Sequence, residues 1–263
     1  MSTGRPSILT GLTAGAVLVL AACGSSGSTT ATPAQGSSSV GGTVTVFAAA
    51  SLKEAFTTLG AQFEKEHPGT HVVFSFGPSS GLAQQVTQGA PADVFASAST
   101  RNMDQVVRAG AATAPKPFAS NQMEIAVPPD NPAHVTGVKD LARTGVKVAL
   151  CQAQVPCGTT AAKVFDKAGV TVTPVTQEVD VKSVLAKVSL GEVDAGVVYV
   201  TDVRAAGSKV TGIPIPADVN ASTSYPIATL AKAPNPAGAR AFTDLVLSAA
   251  GQQVLAADGF AKP

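Results

Sequence analysis

From Thr43 to the C-terminus the chain alternates β-branched runs with amphipathic helical patterns, and this alternation constrains its fold more than any other feature. Thr43-Val44-Thr45-Val46-Phe47 reads as a strand. Leu52, Ala55, Phe56, Leu59 and Phe63 then recur at i, i+3, i+4, i+7 and i+11, one face of a helix. Residues 72–76 and 93–96 read as further strands, with helices after Pro78-Ser79-Ser80-Gly81 and around residues 103–108. The segment 113–120 carries two prolines and reads as irregular. Strands are then expected over 124–127, 146–150, 170–175 and 196–200, and helices over 158–168 and 181–190. Pro214 and Pro216 mark a second irregular stretch, before a strand over 225–231 and a helix over 237–250. The succession predicts an α/β chain with parallel-rich sheets and flanking helices, in two units joined by crossover segments. A ligand would sit in the cleft between the units.

The N-terminus bears on compartment. Arg5 is the only early cation, and the apolar run 11–22 is too short to span a bilayer as a helix. It suits the core of a signal peptide. The run ends in Leu20-Ala21-Ala22-Cys23, which resembles a bacterial lipobox, followed by Ser, Thr, Gly, Pro and Gln residues to about Gly42. A signal peptide over 1–22, a lipid on Cys23 and a flexible tether over 23–42 are therefore expected, with the protein anchored to the outer face of the cell membrane. The 18 basic and 17 acidic side chains nearly balance, and losing Arg5 makes the balance equal. No basic field favours nucleic acid. With no Trp and two Tyr, the chain also lacks the aromatic platforms that sugar sites favour.

Cys151 and Cys157 then lie in an oxidising compartment, where disulfides persist. Zinc would need more ligands, and His67, His71 and His134 form no helical pair or Cys/His cluster with them. A catalytic redox pair usually reads Cys-x-x-Cys. A structural disulfide is the reading that remains favoured, stabilising by about 2–2.5 kcal/mol if unstrained.

Four strand-to-helix junctions present hydroxyls or free N–H groups. Ser51 opens a helix, and Ser51-x-x-Glu54 has the form of a capping box. Ser79 and Ser80, after Gly77-Pro78, could also cap a helix. Val155-Pro156-Cys157-Gly158 exposes N–H groups at a third helix start, and at the fourth Asp180 is the expected N-cap, with Val181 the first helical N–H. Tyr199 adds a phenol near the carboxyl end of a strand, where open α/β sheets place ligands. These candidates are donors and none is a cation. Such a set suits a small, fully deprotonated tetrahedral oxyanion, whose charge is spread over helix dipoles without burying a lysine or arginine.

At this level the sequence resembles a known family. Val44-Thr45-Val46-Phe47-Ala48-Ala49-Ala50-Ser51-Leu52 is similar to the opening motif of the molybdate-binding proteins of bacterial ABC transporters. Gln88-Gly89-Ala90-Pro91-Ala92-Asp93-Val94-Phe95-Ala96-Ser97-Ala98 resembles the second landmark, and Val155-Pro156-Cys157-Gly158, Asp180-Val181 and Gly196-Val197-Val198-Tyr199 follow in order. The resemblance implies a two-lobed periplasmic-binding fold of type II, with one lobe over 43–119 plus 225–263 and the other over 120–224. It implies a monomeric carrier, not an enzyme and without a cofactor, that closes over molybdate or tungstate and docks onto a membrane permease. Ser51 and Ser79 would donate through hydroxyl and backbone N–H, Cys157 and Val181 through backbone N–H, and Tyr199 through its hydroxyl, with Ser80 a neighbour outside that set. Cys157 departs from the alanine common in the family, and Pro78 and Gly81 depart from its more serine-rich loop.

Other readings have specific requirements. A lipoprotein hydrolase would need a Gly-x-Ser-x-Gly nucleophile elbow with a histidine base; no such elbow is expected, and none of the three histidines falls at a strand-end junction. A phosphate receptor wants a carboxylate acceptor, whereas Asp180 reads as a cap; a ferric-iron receptor wants more phenols. A purely structural lipoprotein would need no convergent donors. Sulfate, also a proton-free dianion, is separated from molybdate by size alone.

Overall fold

Strand β1 (Gly42–Ala49) ends in a 3₁₀ turn, Ala50–Leu52, that feeds helix α1 (Lys53–Glu66). This computed structural model describes residues 40–263. The expected signal peptide, the lipid site at Cys23 and most of the tether lie outside the described residues. The next elements are β2 (Thr70–Gly77), α2 (Ser79–Thr87), β3 (Val94–Ala96) and α3 (Thr100–Arg108). After β4 (Lys116–Val127) come β5 (Val148–Cys151), α4 (Pro156–Ala168), β6 (Thr176–Glu178) and α5 (Val181–Ser189). The chain closes with β7 (Ala195–Tyr199), α6 (Val200–Ala206), β8 (Thr211–Pro214), β9 (Ser222–Thr229), α7 (Pro236–Leu247) and α8 (Ala249–Ala257).

The strands lie in the order β2-β1-β3-β9-β4-β7-β5-β6, with β8 also on β4. Pairs β1–β2, β1–β3, β5–β6 and β5–β7 are parallel; every pair involving β4 or β9 is antiparallel. Each lobe is thus a parallel α/β unit, and the long antiparallel strands β4 and β9 link them. The buried apolar residues divide accordingly. One core, rich in valine, lies between Met123 and Ala221. A second packs α1, α7 and α8 against Val44, Val46, Ala48, Val94 and Ala96, with Phe56, Phe63 and Phe242 meeting edge to face at centroid distances of 5.5–5.8 Å. Phe47 and Phe95, one residue out of phase on the same strands, face a third core with Leu82, Val86 and Met103. The period of two covers this sheet on both faces. Asp93 ties the edges together: its carboxylate accepts from Thr45 N at 2.7 Å and Asn235 N at 2.6 Å.

Several expectations need correction. Residues 116–120, expected to be irregular, are strand: Pro115 precedes β4, and Pro117 sits at a register shift against β9, where an irregularity tolerates a missing N–H. The expected strand over 170–175 is unpaired except for Val175 N bonding Val148 O at 2.9 Å, and ladder pairing starts at Thr176, past Pro174. Pro214 belongs to β8, and α6 follows Tyr199 without a loop. The single helix expected over 237–250 is two, broken at Ser248, whose Oγ accepts from Gly251 N at 3.1 Å and starts α8.

Candidate functional site

The carboxyl ends of β1, β2, β5, β6 and β7 meet across the cleft, and each delivers one of the five residues singled out in the sequence. Ser51, Ser79, Cys157, Val181 and Tyr199 all line one cavity of about 20 Å³, together with Ala49, Pro78, Ala98, Val155 and Asp180. That is room for one compact guest, above the roughly 10–15 Å³ a single water needs. Each of the five is at most 4% exposed.

The serines do not cap their helices as expected. Ser51 lies inside the 3₁₀ turn, no side chain caps α1 at Leu52, and the Glu54 carboxylate points elsewhere. The N-cap of α2 is Pro78, so Ser79 and Ser80 are its first two residues. The Ser79 hydroxyl is engaged on its acceptor side instead, and the Ser51 hydroxyl shares a hydrogen bond with another hydroxyl. Ser79 Oγ accepts from Ala98 N at 3.0 Å, and Ser51 Oγ lies 2.9 Å from Tyr225 Oη. The Ser79 proton is thereby left to be given to a guest, and so is that of Ser51 whenever Tyr225 donates in their shared bond. Among the described residues the backbone N–H groups of Ser51, Ser79, Cys157 and Val181 bond no acceptor. The latter three stand in the first turns of α2, α4 and α5, where the partial positive charge of the helix gathers.

Tyr199 ends β7, and its Oη, wholly buried, has no partner among the described residues. Burial pushes its pKa well above the ordinary phenol value, with Tyr225 and Asp202 adding to the rise, so it stays a donor. Its backbone N–H donates to Asp202 Oδ2 at 3.1 Å, which fixes the start of α6. Asp180 caps α5 as expected, accepting from Ser183 N at 2.9 Å. It is the one charged residue in the lining, and that bond occupies one of its oxygens.

The expected Cys151–Cys157 disulfide is present and joins the last residue of β5 to the second residue of α4. The loop between is tied further by Gln152 N to Glu178 O at 2.9 Å and by Thr159 Oγ1 to Ala153 O at 2.9 Å. Tyr225 was not foreseen. It sits on β9 and reaches Ser51 across 174 residues of sequence; that it is one of two tyrosines, the other in the site, was the only signal. The expectation that no nucleophile elbow is present needs correction, because Gly77-Pro78-Ser79-Ser80-Gly81 has the Gly-x-Ser-x-Gly spacing. The elbow chemistry fails on its base: no histidine lines the cavity, and His71 pairs with Glu64 at 3.1 Å on the surface. Among the described residues no group of three or more His, Cys, Asp or Glu could hold a metal ion.

A two-lobed α/β chain that gathers two serines, a phenol and three helix starts around one small cavity has the construction of a solute receptor. The profile of the bacterial extracellular solute-binding proteins matches residues 44–261. The molybdate-binding protein ModA of Mycobacterium tuberculosis is 45% identical over 266 aligned positions, covering 100% of this chain and 98% of that one. The chain belongs to the bacterial extracellular solute-binding proteins and, among them, to the ModA family, as the motifs from Val44 to Tyr199 indicated. The periplasmic molybdate-binding protein of Azotobacter vinelandii shares the fold, with a TM-score of 0.74 at 21% identity over 84% of this chain and 99% of that one. So does the sulfate-binding protein SubI of M. tuberculosis, at 0.73 and 20% over 83% and 86%. Fold alone therefore does not separate the two anions.

Proposed function

We propose that this protein captures molybdate, and tungstate, outside the cytoplasm and delivers it to the permease of an ABC transporter, held close by a lipid on Cys23. The observation that carries the reading is the convergence of Ser51, Ser79, Cys157, Val181 and Tyr199 on one buried cavity with no cation in its lining. Donors of this kind favour a ligand whose oxygens only accept. An anion that retains a proton would need an acceptor: the Ser79 oxygen already takes the Ala98 N–H, and the one carboxylate in the lining, Asp180, is engaged as the cap of α5 through one oxygen. Identity to ModA selects molybdate over sulfate among the proton-free dianions.

In this reading the anion bridges a lobe over 43–119 plus 225–263 and a lobe over 120–224, and β4 and β9 carry the hinge between them. Ser51 and Ser79 bind from the first and Cys157, Val181 and Tyr199 from the second, so only the closed state satisfies every oxygen. The protein binds and releases; it does not turn over. The test is thermal unfolding with molybdate, tungstate, sulfate and phosphate added separately. Molybdate and tungstate at about a hundred times their Kd stabilise by about 2.7 kcal/mol, a rise of several degrees for a chain of this size. Sulfate and phosphate at the same concentration leave the transition in place. A shift with sulfate alone assigns the site to sulfate.

The disulfide gives a second prediction. Because Cys157 is both half of the bond and a proposed N–H donor, the Cys151→Ala/Cys157→Ala variant should bind molybdate about tenfold or more weakly. Its ligand-free Tm should fall by no more than about 10 °C, since the bond closes a short loop. Calorimetric titration and thermal unfolding of the two proteins decide it: unchanged affinity means that the bond supports the fold and not the donor.

A further inference from the structure

Lys182 follows directly on Val181, one of the residues that line the cavity, and is held by two carboxylates. Its Nζ lies 2.8 Å from Glu54 Oε2 and 3.0 Å from Asp202 Oδ1. Glu54 is in the first turn of α1, on one side of the cleft, whereas Lys182 and Asp202 belong to α5 and α6 on the other. Each member is coupled to a residue proposed to hold the anion. Glu54 follows Ser51 by three residues, Lys182 adjoins Val181, and Asp202 accepts the Tyr199 backbone N–H. Asp202 is fully buried and Lys182 largely so, while Glu54 remains partly exposed.

We propose that Glu54 is a positioning residue which, by gripping Lys182 across the cleft, holds the lobes closed over the anion. The proposal rests on the binding role argued above. Opening the cleft separates Glu54 from Lys182 but leaves Asp202 with its counter-ion, so the pair that breaks is the one across the lobes. Burial lowers the Lys182 pKa, but the charges of Asp202 and Glu54 and its bond to Glu54 outweigh this and raise it, so the ammonium stays charged. A carboxylate in the helix turn that starts at the anion is otherwise adverse, because it repels the guest. Its placement is explained if closure gains more from the bridge than the anion loses by repulsion.

These two effects have opposite signs, which makes the test sharp. Glu54→Gln removes the bridge and also the repulsion, and Glu54→Lys reverses the charge. Both variants of the full chain are titrated with molybdate, and dissociation is followed by rapid mixing. If Glu54 is the clasp, both bind more weakly, about three- to tenfold for Glu54→Gln and more for Glu54→Lys, with the change carried by a faster off-rate. Added salt narrows the difference from the native protein. If Glu54 only repels the anion or only favours the start of α1, the variants bind as tightly as the native protein or more tightly, and the proposal is wrong. The native protein is the control: failure of molybdate to bind it refutes the ligand assignment, whereas binding to it with unchanged or tighter binding by the variants refutes the clasp alone.

Discussion

Replacing Gly158 by alanine is expected to lower the melting temperature by about 5–10 °C and to weaken molybdate binding more than tenfold. A Cβ built at Gly158 would lie 2.1 Å from Gln152 O and 2.7 Å from Cys151 O. Both are backbone atoms, so no side chain can turn aside. The loop cannot retreat easily either, because Gln152 N bonds Glu178 O, Val155 N bonds Gln152 O at 3.0 Å, and the disulfide spans the same residues. Strand end and helix start must separate, at a cost of about 2–3 kcal/mol, and each kcal/mol is about 2–4 °C in a chain of this length. The same displacement turns the Cys157 N–H away from the cavity. Gly81→Ala is the matched control. It lies in the first turn of α2, its new Cβ would meet only Pro78 Cγ at 3.4 Å, and alanine favours a helix, so stability should hold or rise slightly. Thermal unfolding with and without molybdate checks both, and a Gly158→Ala protein that melts and binds like the native one removes this loop from the site.

The gathering of the candidate residues around one cavity was more legible in the sequence than the bounds of the elements around it. Each of Ser51, Ser79, Cys157 and Val181 stands at a junction where a β-branched run gives way to a helical period, and the polypeptide there must present unpaired N–H groups. Local pattern marked the junctions, the family resemblance singled out the residues within them, and the parallel pairing of β1 with β2 and of β5 with β6 and β7 set their carboxyl ends side by side. What the local pattern misjudged was how the side chains are used. Ser51-x-x-Glu54 has the spacing of a capping box, but the serine lies inside a 3₁₀ turn and both side chains are spent on tertiary partners, Tyr225 and Lys182.

The errors in the fold have the same origin. Prolines 115 and 117 argued against a central strand, yet β4 starts just after Pro115 and runs through Pro117, where its pairing with β9 shifts register. The Val/Thr run over 170–175 has a strong strand composition but stands beside no ladder partner until Thr176. Residues 237–250 keep a helical pattern while Ser248 restarts the helix in a new direction. In each case a long-range partner decides between local options. Tyr225 and the Glu54–Lys182 pair lie beyond sequence reading for that reason: their partners are 174 and 128 residues away.

Ser51→Ala is expected to weaken molybdate binding by about 10–100-fold, and its coupling to Tyr225 is the stricter test. A hydrogen bond to a charged group is worth about 1.5–3 kcal/mol, which is that range of affinity. Ser51 Oγ and Tyr225 Oη lie 2.9 Å apart, and either could donate. With an anion in the cavity the serine gives its proton to the guest, so Tyr225 must give its own to the serine. Burial raises the Tyr225 pKa above the ordinary phenol value, which keeps that proton available. Tyr225→Phe preserves the packed ring against Phe118 and Phe260 but frees the serine hydroxyl to rotate, and should cost about three- to tenfold. Because Tyr225 acts only through Ser51, Ser51→Ala/Tyr225→Phe should bind no worse than Ser51→Ala, and slightly better if the alanine strands a buried phenol. Calorimetric titration of the four proteins with molybdate closes the cycle. Costs that simply add would mean that Tyr225 meets the anion by another route, and native affinity in Ser51→Ala would remove the serine hydroxyl from the donor set.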